Sequence, residues 1–248
     1  TIYFGKAKPV QYTVLDVSKH YKEKYEAYIE YDPERAKELL NEIGLKDKDG
    51  DGWRERPDGK VFTFTLEYIT AETPKAPNVE LVTQNWKDIG IKVETKQISG
   101  ELQAQRAPAN MLSATVWHGD MATDMLFPLY PYYYLPYIPS WSKTIWPEWA
   151  RWFQTDGESG KEPPAEIKEL RNTWEKIMTE PNPEKRKEMC TRILESQAEN
   201  LWTIGTVGKT PWPVIANKNL KNLPDNVLWC WDTLWTISRD PEQFFFDN

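Results

Sequence analysis

"DPERAKELLNEIGLKDKDGDGWRERPDGKVFTFTLEY", residues 32–68, decides the fold. Asp32 is a natural helix N-cap, Pro33 takes the first helical position, and Gly44 can end the helix in a left-handed conformation. Between them Ala36, Leu39, Leu40 and Ile43 recur at helical spacing and form one apolar stripe. After an acidic, glycine-rich turn, Phe62, Phe64, Leu66 and Tyr68 alternate with Thr63, Thr65 and Glu67, which is the period of a strand. A capped helix, a tight turn and a strand in this order open an α/β unit.

The same grammar continues downstream. "APNVELVTQNWKDIG" (76–90) puts Val79, Val82, Trp86 and Ile89 on one helical face and ends at Gly90. "IKVETKQI" (91–98) reads as a strand, "SGELQAQRA" (99–107) as a short helix opened by Ser99, and "MLSATVWHG" (111–119) as a third strand. The order β-α-β-α-β predicts parallel neighbours joined by right-handed crossovers. Residues 120–164 break the rhythm with Pro, Gly and aromatic residues. Two helices follow: "PAEIKELRNTWEKIM", with Ile167, Leu170, Trp174 and Ile177 on one side, and "NPEKRKEMCTRILESQAEN", capped by Asn182 with Pro183 at the first position. "LWTIGTV", "WPVIA" and "VLWCWDTLWTI" are strand-like pieces near the end, and residues 1–31 read as extended or irregular.

Composition narrows the function classes. The 248 residues carry 31 Lys and Arg against 38 Asp and Glu, a net charge of −7, with no basic block, which argues against nucleic acid as a partner. No apolar run approaches the roughly 20 residues of a membrane span. Cys190 and Cys230 form no CxxC or zinc pattern, and they are compatible with one disulfide or with two free thiols. Eleven aromatic residues and five prolines fall between Phe127 and Phe153, a density that asks for a ligand or an unusual core.

Four groups of residues could carry function. The turn fits the first half of an EF-hand loop, with Asp47, Asp49 and Asp51 as oxygen ligands and Gly52 at the sharp bend; Glu55 falls at the ninth position and Asp58 at the twelfth. Calcium on Asp47, Asp49, Asp51 and Asp58 is one reading, and no other cofactor is expected. The other is a turn whose carboxylates bond nearby backbone amides, since a strand follows where an EF-hand needs a helix. In the aromatic segment Tyr130, the Tyr132–Tyr133–Tyr134 run, Trp141, Trp146, Trp149 and Trp152 are candidates to stack on sugar rings, with the 146/149/152 spacing keeping three indoles roughly along one helical side; burial in a core is the alternative. "VWHGDMATD" places Trp117, His118 and Asp120 at the end of a parallel strand, where α/β sites lie, against the alternative of a core Trp and a surface Asp. Catalysis has little support: GxSxG, HExxH, P-loop and GxGxxG are absent, His20 and His118 are the only histidines, and paired carboxylates among Trp residues leave a glycoside hydrolase fragment as a distant option.

The order of motifs resembles the C-terminal lobe of the family 5 extracellular solute-binding proteins, the dipeptide, oligopeptide and oligosaccharide class that serves ABC importers. The match runs over residues 32–222, through the opening stretch, "VELVTQNWKDIGIKVETKQI", "TWEKIMTEPNPEKRKEMCTRILESQAEN" and "ANKNLKN". The resemblance implies a periplasmic-binding-protein-like lobe with a mixed sheet flanked by helices and an aromatic insertion near 120–164. It further implies a lead-in over 1–31, a return segment over 223–248 towards an N-terminal lobe missing from this chain, a membrane permease as partner, a periplasmic or cell-surface location, and capture of ligand without catalysis. Many peptide-binding members carry W-x-x-D-Y-x-D-P after the strand. Trp117 and Asp120 fit that pattern, but Met121, Thr123 and Asp124 replace its Tyr, Asp and Pro. The aromatic segment is instead similar to the oligosaccharide-binding branch, so a β-linked glucan or mannan fragment is the expected cargo and a peptide the alternative.

Overall fold

The computed structural model describes residues 2–70, 74–138, 145–211, 213–225, 227–228 and 241–247. Seven short strands and seven helices are distributed along them: β1 (Lys8–Pro9), α1 (Pro33–Glu42), β2 (Thr63–Tyr68), α2 (Lys75–Asp88), β3 (Lys92–Gln97), α3 (Gly100–Arg106), β4 (Ala114–Val116), α4 (Leu126–Leu129), α5 (Pro147–Gln154), α6 (Ala165–Thr179), α7 (Pro183–Asn200), β5 (Val207–Gly208), β6 (Leu220–Lys221) and β7 (Phe245–Phe246).

The caps act as the sequence predicts. Asp32 accepts from the Arg35 amide at 2.9 Å, Ser99 from Leu102 at 3.2 Å, and Asn182 from Glu184 at 2.9 Å. Gly44 and Gly90 both take φ +87°, which lets α1 and α2 stop within one residue of their C-caps and turn towards the sheet. That sheet has the order β3-β2-β4 and is parallel throughout, with Thr63 beside Lys92 and Leu66 beside Ala114. The crossovers α2 and α3 connect its strands as expected. Among the described residues antiparallel pairing is found in two ribbons, β1 with β5 and β6 with β7, and in isolated bridges of Glu55 to Lys46 and Val61.

Packing departs from the simple pattern at several places. The α1 stripe is poorly covered: Leu39 is 42% and Ile43 69% exposed, and no residue of α1 is buried. Glu67, on the polar side of β2, is buried, because Arg106 Nε lies 3.0 Å and Lys96 Nζ 3.8 Å from its carboxylate and pay for its desolvation. "WPVIA" forms no strand over 213–216, and most of "VLWCWDTLWTI" lies outside the described residues.

The largest apolar cluster sits away from the sheet. Ile167, Leu170 and Ile177 of α6 meet Cys190, Ile193 and Leu194 of α7, and between them enter Tyr12, Val14, Tyr25, Phe127 and the run from Tyr132 to Leu135. Residues before 32 are therefore woven into the core, through β1 and through Tyr12 and Val14. Cys190 is buried and has no disulfide partner among the described residues, burial pushes its pKa up to about 11, and Cys230, with any pairing to it, lies outside the described residues.

His20 is buried beside this cluster, its ring 6.0 Å from Phe127. Burial lowers its pKa below 6.5, outweighing the attraction of Asp124. A folded pKa below the unfolded one means the unfolded chain takes up a proton first as pH falls. This contribution to stability is thus intact above about pH 6.5 and is lost on acidification below it. The urea midpoint of the wild type is expected to drop more between pH 7.5 and 5.5 than that of His20→Gln. Equal drops for the two proteins would remove His20 as the cause.

Candidate functional site

The parallel strand β4 delivers the chain to a compact polar group. Beyond Val116, Trp117 and His118 lie ring against ring at 5.0 Å, and His118 Nε2 stands 3.2 Å from Asp120 Oδ2. Lys75, at the start of α2 and 2% exposed, places its ammonium 5.0 Å over the Trp117 ring, a cation–π geometry. The Tyr12 hydroxyl donates to the Asp120 carbonyl at 2.6 Å, and Met121 adopts a left-handed φ of +56° that turns the chain into the aromatic segment. The three residues predicted at the strand end are thus brought together. Asp120, however, is buried, which the surface-Asp alternative does not describe. Lys75 and Tyr12 join from elements distant in sequence, and no local motif announces either.

The aromatic segment divides. Tyr132, Tyr133 and Tyr134 are core residues, and burial pushes the Tyr132 hydroxyl up to about 12 and that of Tyr134 higher still. Tyr130 remains 38% exposed and stacks on Tyr132 at 5.7 Å. Trp146, the left-handed N-cap of α5, lies 5.1 Å from Trp149 and 5.0 Å from Trp202, so these three indoles form one half-buried cluster. Trp152 leaves that side. Helical residues advance by about 100°, so positions six apart end roughly 120° away from each other. Its ring packs on Phe153 beneath the Lys168 ammonium, in a surface hollow of about 340 Å³ also lined by Asp156, Asn172 and Glu175. Trp141 lies outside the described residues.

A second hollow, of about 410 Å³, opens on the polar side of the sheet over Thr65, Glu67, Glu94, Lys96 and Arg106. In the acidic turn, Asp47, Asp49, Asp51 and Glu55 converge, while Asp58 is drawn off by Arg56, whose guanidinium holds its carboxyl below the usual range. Among the described residues no helix is long and apolar enough to cross a membrane.

The sequence model described as "Bacterial extracellular solute-binding proteins, family 5 Middle" matches residues 1–138, more than half of the chain. The chain belongs to that family. This family 5 match includes residues 1–31, in keeping with their place in the core. A solved oligopeptide-binding protein OppA is 30% identical, with a TM-score of 0.80 over 100% of this chain and 40% of its own. The oligopeptide-binding protein AppA of Bacillus subtilis is 37% identical over 82 residues, 33% of this chain and 15% of that protein. A mannohexaose-bound periplasmic protein of Thermotoga maritima shares the fold at 23% identity and TM-score 0.57, over 81% of this chain and 36% of its own. This family 5 chain therefore spans less than half the length of each of these relatives.

Proposed function

We propose that this chain is a lobe of an ABC-importer solute-binding protein that captures an oligosaccharide, a β-linked glucan or mannan fragment, without making or breaking bonds. Residues 32–222, with residues 1–31 packed into their core, form the lobe, 223–248 lead back to a second one, and the ligand is held between the two by hinge closure. The permease is the downstream partner, and the site of action is the periplasm or the cell surface. The contacts offered to the ligand are the strand-end group of Trp117, His118 and Asp120 together with Tyr130, Trp146 and Trp149; Trp152, which faces a separate hollow, and Trp141 are further candidates.

One observation carries the choice of cargo. Asp120 is buried and engaged by His118, so its carboxylate is poorly placed to meet a peptide's α-amino group, whereas the partly exposed Trp117 ring beside it suits a sugar face. The mannohexaose-bound relative shows that this fold is compatible with an oligosaccharide cargo. The identity to OppA over the full chain favours a peptide as the second reading.

Calorimetry of the two-lobed protein separates the two. Mannohexaose or cellohexaose is expected to release heat and change Trp fluorescence, with no reducing ends generated, while tri- to nonapeptides are inert. Trp117→Ala should weaken that binding by about tenfold or more, roughly 1.4 kcal/mol. Heat from peptides alone would transfer the assignment to the peptide reading, and turnover would return the hydrolase option.

A further inference from the structure

The turn between α1 and β2 presents a ligand set that its own basic residues do not match. Asp47, Asp49, Asp51 and Glu55 each place a carboxylate oxygen within 4.8 Å of the other three. Two oxygens bound to one calcium ion at its usual distances are at most about 4.6 to 5.2 Å apart, so four converging oxygens already satisfy the spacing. The interleaved cations point elsewhere. Lys48 Nζ donates to the Arg56 carbonyl, Arg54 turns inward to the carbonyls of Ile89 and Leu45, and Arg56 pairs with Asp58.

Glu55 is the deciding residue. It is only 5% exposed, its backbone is fixed by pairing with Lys46, and its Oε2 accepts from the Lys48 amide at 2.7 Å. Its Oε1 is buried and has no hydrogen-bond partner among the described residues. An ionised carboxylate removed from water with one oxygen unmatched is unfavourable, and here it is set beside three further carboxylates. The exposed three have spare capacity as well: Asp47 accepts from Gly50 and Gly52, Asp49 from Asp51, and Asp51 from Trp53, which leaves lone pairs on each.

We infer that this loop binds one calcium ion through Asp47, Asp49, Asp51 and the buried Glu55, and that the ion clamps the α1–β2 turn. Oxygen-only, carboxylate-rich donors in an irregular arrangement select calcium over magnesium, which dehydrates reluctantly and demands near-ideal octahedral geometry. In twelve-residue calcium loops the seventh position supplies a backbone carbonyl, here that of Trp53, and water completes the shell. Asp58, the twelfth position, takes no part. The ninth position brings a carboxylate of its own, so a full second helix is not needed to close the set.

The test uses the chelator-treated chain and calcium chloride alone, and it does not depend on which solute the protein carries. Calcium at about 1 mM, the range of extracellular modules, is expected to raise the melting temperature by several degrees. Terbium should bind at one equivalent with luminescence sensitised by Trp53 and be displaced by calcium. Asp49→Asn and Glu55→Gln should each weaken binding at least tenfold, while Asp58→Asn leaves it unchanged. Glu55→Gln should melt no lower than the metal-free wild type, which separates lost binding from lost folding. No melting shift and no terbium signal would overturn the assignment. So would an equal response to magnesium, or a response retained in both weakened variants.

Discussion

Gly205→Ala is expected to destabilise the chain by about 3 kcal/mol or more, beyond the usual cost of overpacking, because the methyl group would meet backbone rather than side chain. A Cβ at Gly205 would stand 2.5 Å from Gln11 Cα and 2.6 Å from its carbonyl carbon, with the Val10 oxygen closer still. None of these atoms can rotate away. The Gly205 amide also donates to Gln11 Oε1 at 2.8 Å, and the neighbouring Val10 amide donates to the Thr206 carbonyl at 3.3 Å. Relief would part β1 from β5 and pull on Tyr12 and Val14 in the core. For a chain of this size the melting temperature should fall by roughly 6 to 12 °C. Gly100→Ala supplies the control: it opens α3, has no atom within 4 Å of the added methyl, and should be neutral or slightly stabilising. A Gly205→Ala protein within 1 kcal/mol of wild type would mean that the two strands separate freely.

That contact also shows why the chain's first 31 residues are hard to place from sequence. Val10 and Gly205 meet across nearly the whole chain, and no periodic pattern encodes such a pairing. Residues 32–116 are the opposite case. Caps at Asp32 and Ser99, glycines at 44 and 90, and the alternation from Phe62 to Tyr68 all act over a few residues, and each appears where local rules put it. Local rules still misjudge burial. They give α1 an apolar stripe that stays largely exposed, and they put Glu67 on the solvent side when two basic residues from β3 and α3 enclose it.

Candidate site residues follow the same division. The strand-end rule located Trp117, His118 and Asp120 because parallel strands fix where their C-terminal ends lie. It could not reveal Lys75 over the indole or Tyr12 beneath Asp120, which arrive by tertiary packing. In the aromatic segment the sequence shows density but not direction. The tyrosine run turns inward while Tyr130 keeps an exposed ring, because Pro131 and the turn after it set their directions. In the acidic loop, pattern matching nominated Asp58 from the twelfth position, whereas the nearby Arg56 guanidinium claims that carboxylate and Glu55 takes its place in the cluster.

The second large effect is expected at Arg54, which sequence inspection passes over as one more charge in a polar turn. It is 8% exposed. Its guanidinium donates through Nε to the Ile89 carbonyl at 2.7 Å, and through Nη1 to Asn41 Oδ1 at 2.7 Å and the Leu45 carbonyl at 2.6 Å. Asn41 belongs to the last turn of α1, Leu45 follows just beyond its C-cap Ile43 and Gly44, and Ile89 is the C-cap of α2. One cation therefore ties together two helix C-termini, where carbonyls are unmatched and the dipole favours positive charge. Arg54→Ala would take this donor from the buried Leu45 carbonyl and from the partly buried Ile89 carbonyl, and open a void beneath Gly90, whose backbone the Arg54 stem now packs against. The expected loss is about 3 to 5 kcal/mol, the range for removing one partner from a buried charged network. Arg54→Lys should recover less than half of it, because an ammonium on a flexible stem cannot reproduce a fork that serves three acceptors in fixed directions. Urea denaturation with an unchanged m-value is the measurement. The loss should persist when sodium chloride is raised from about 0.05 to 0.5 M, since buried bonds are poorly screened. If salt abolished the difference between Arg54→Ala and wild type, the guanidinium would be acting as a surface charge, and the joint between α1 and α2 would have to rest on other contacts.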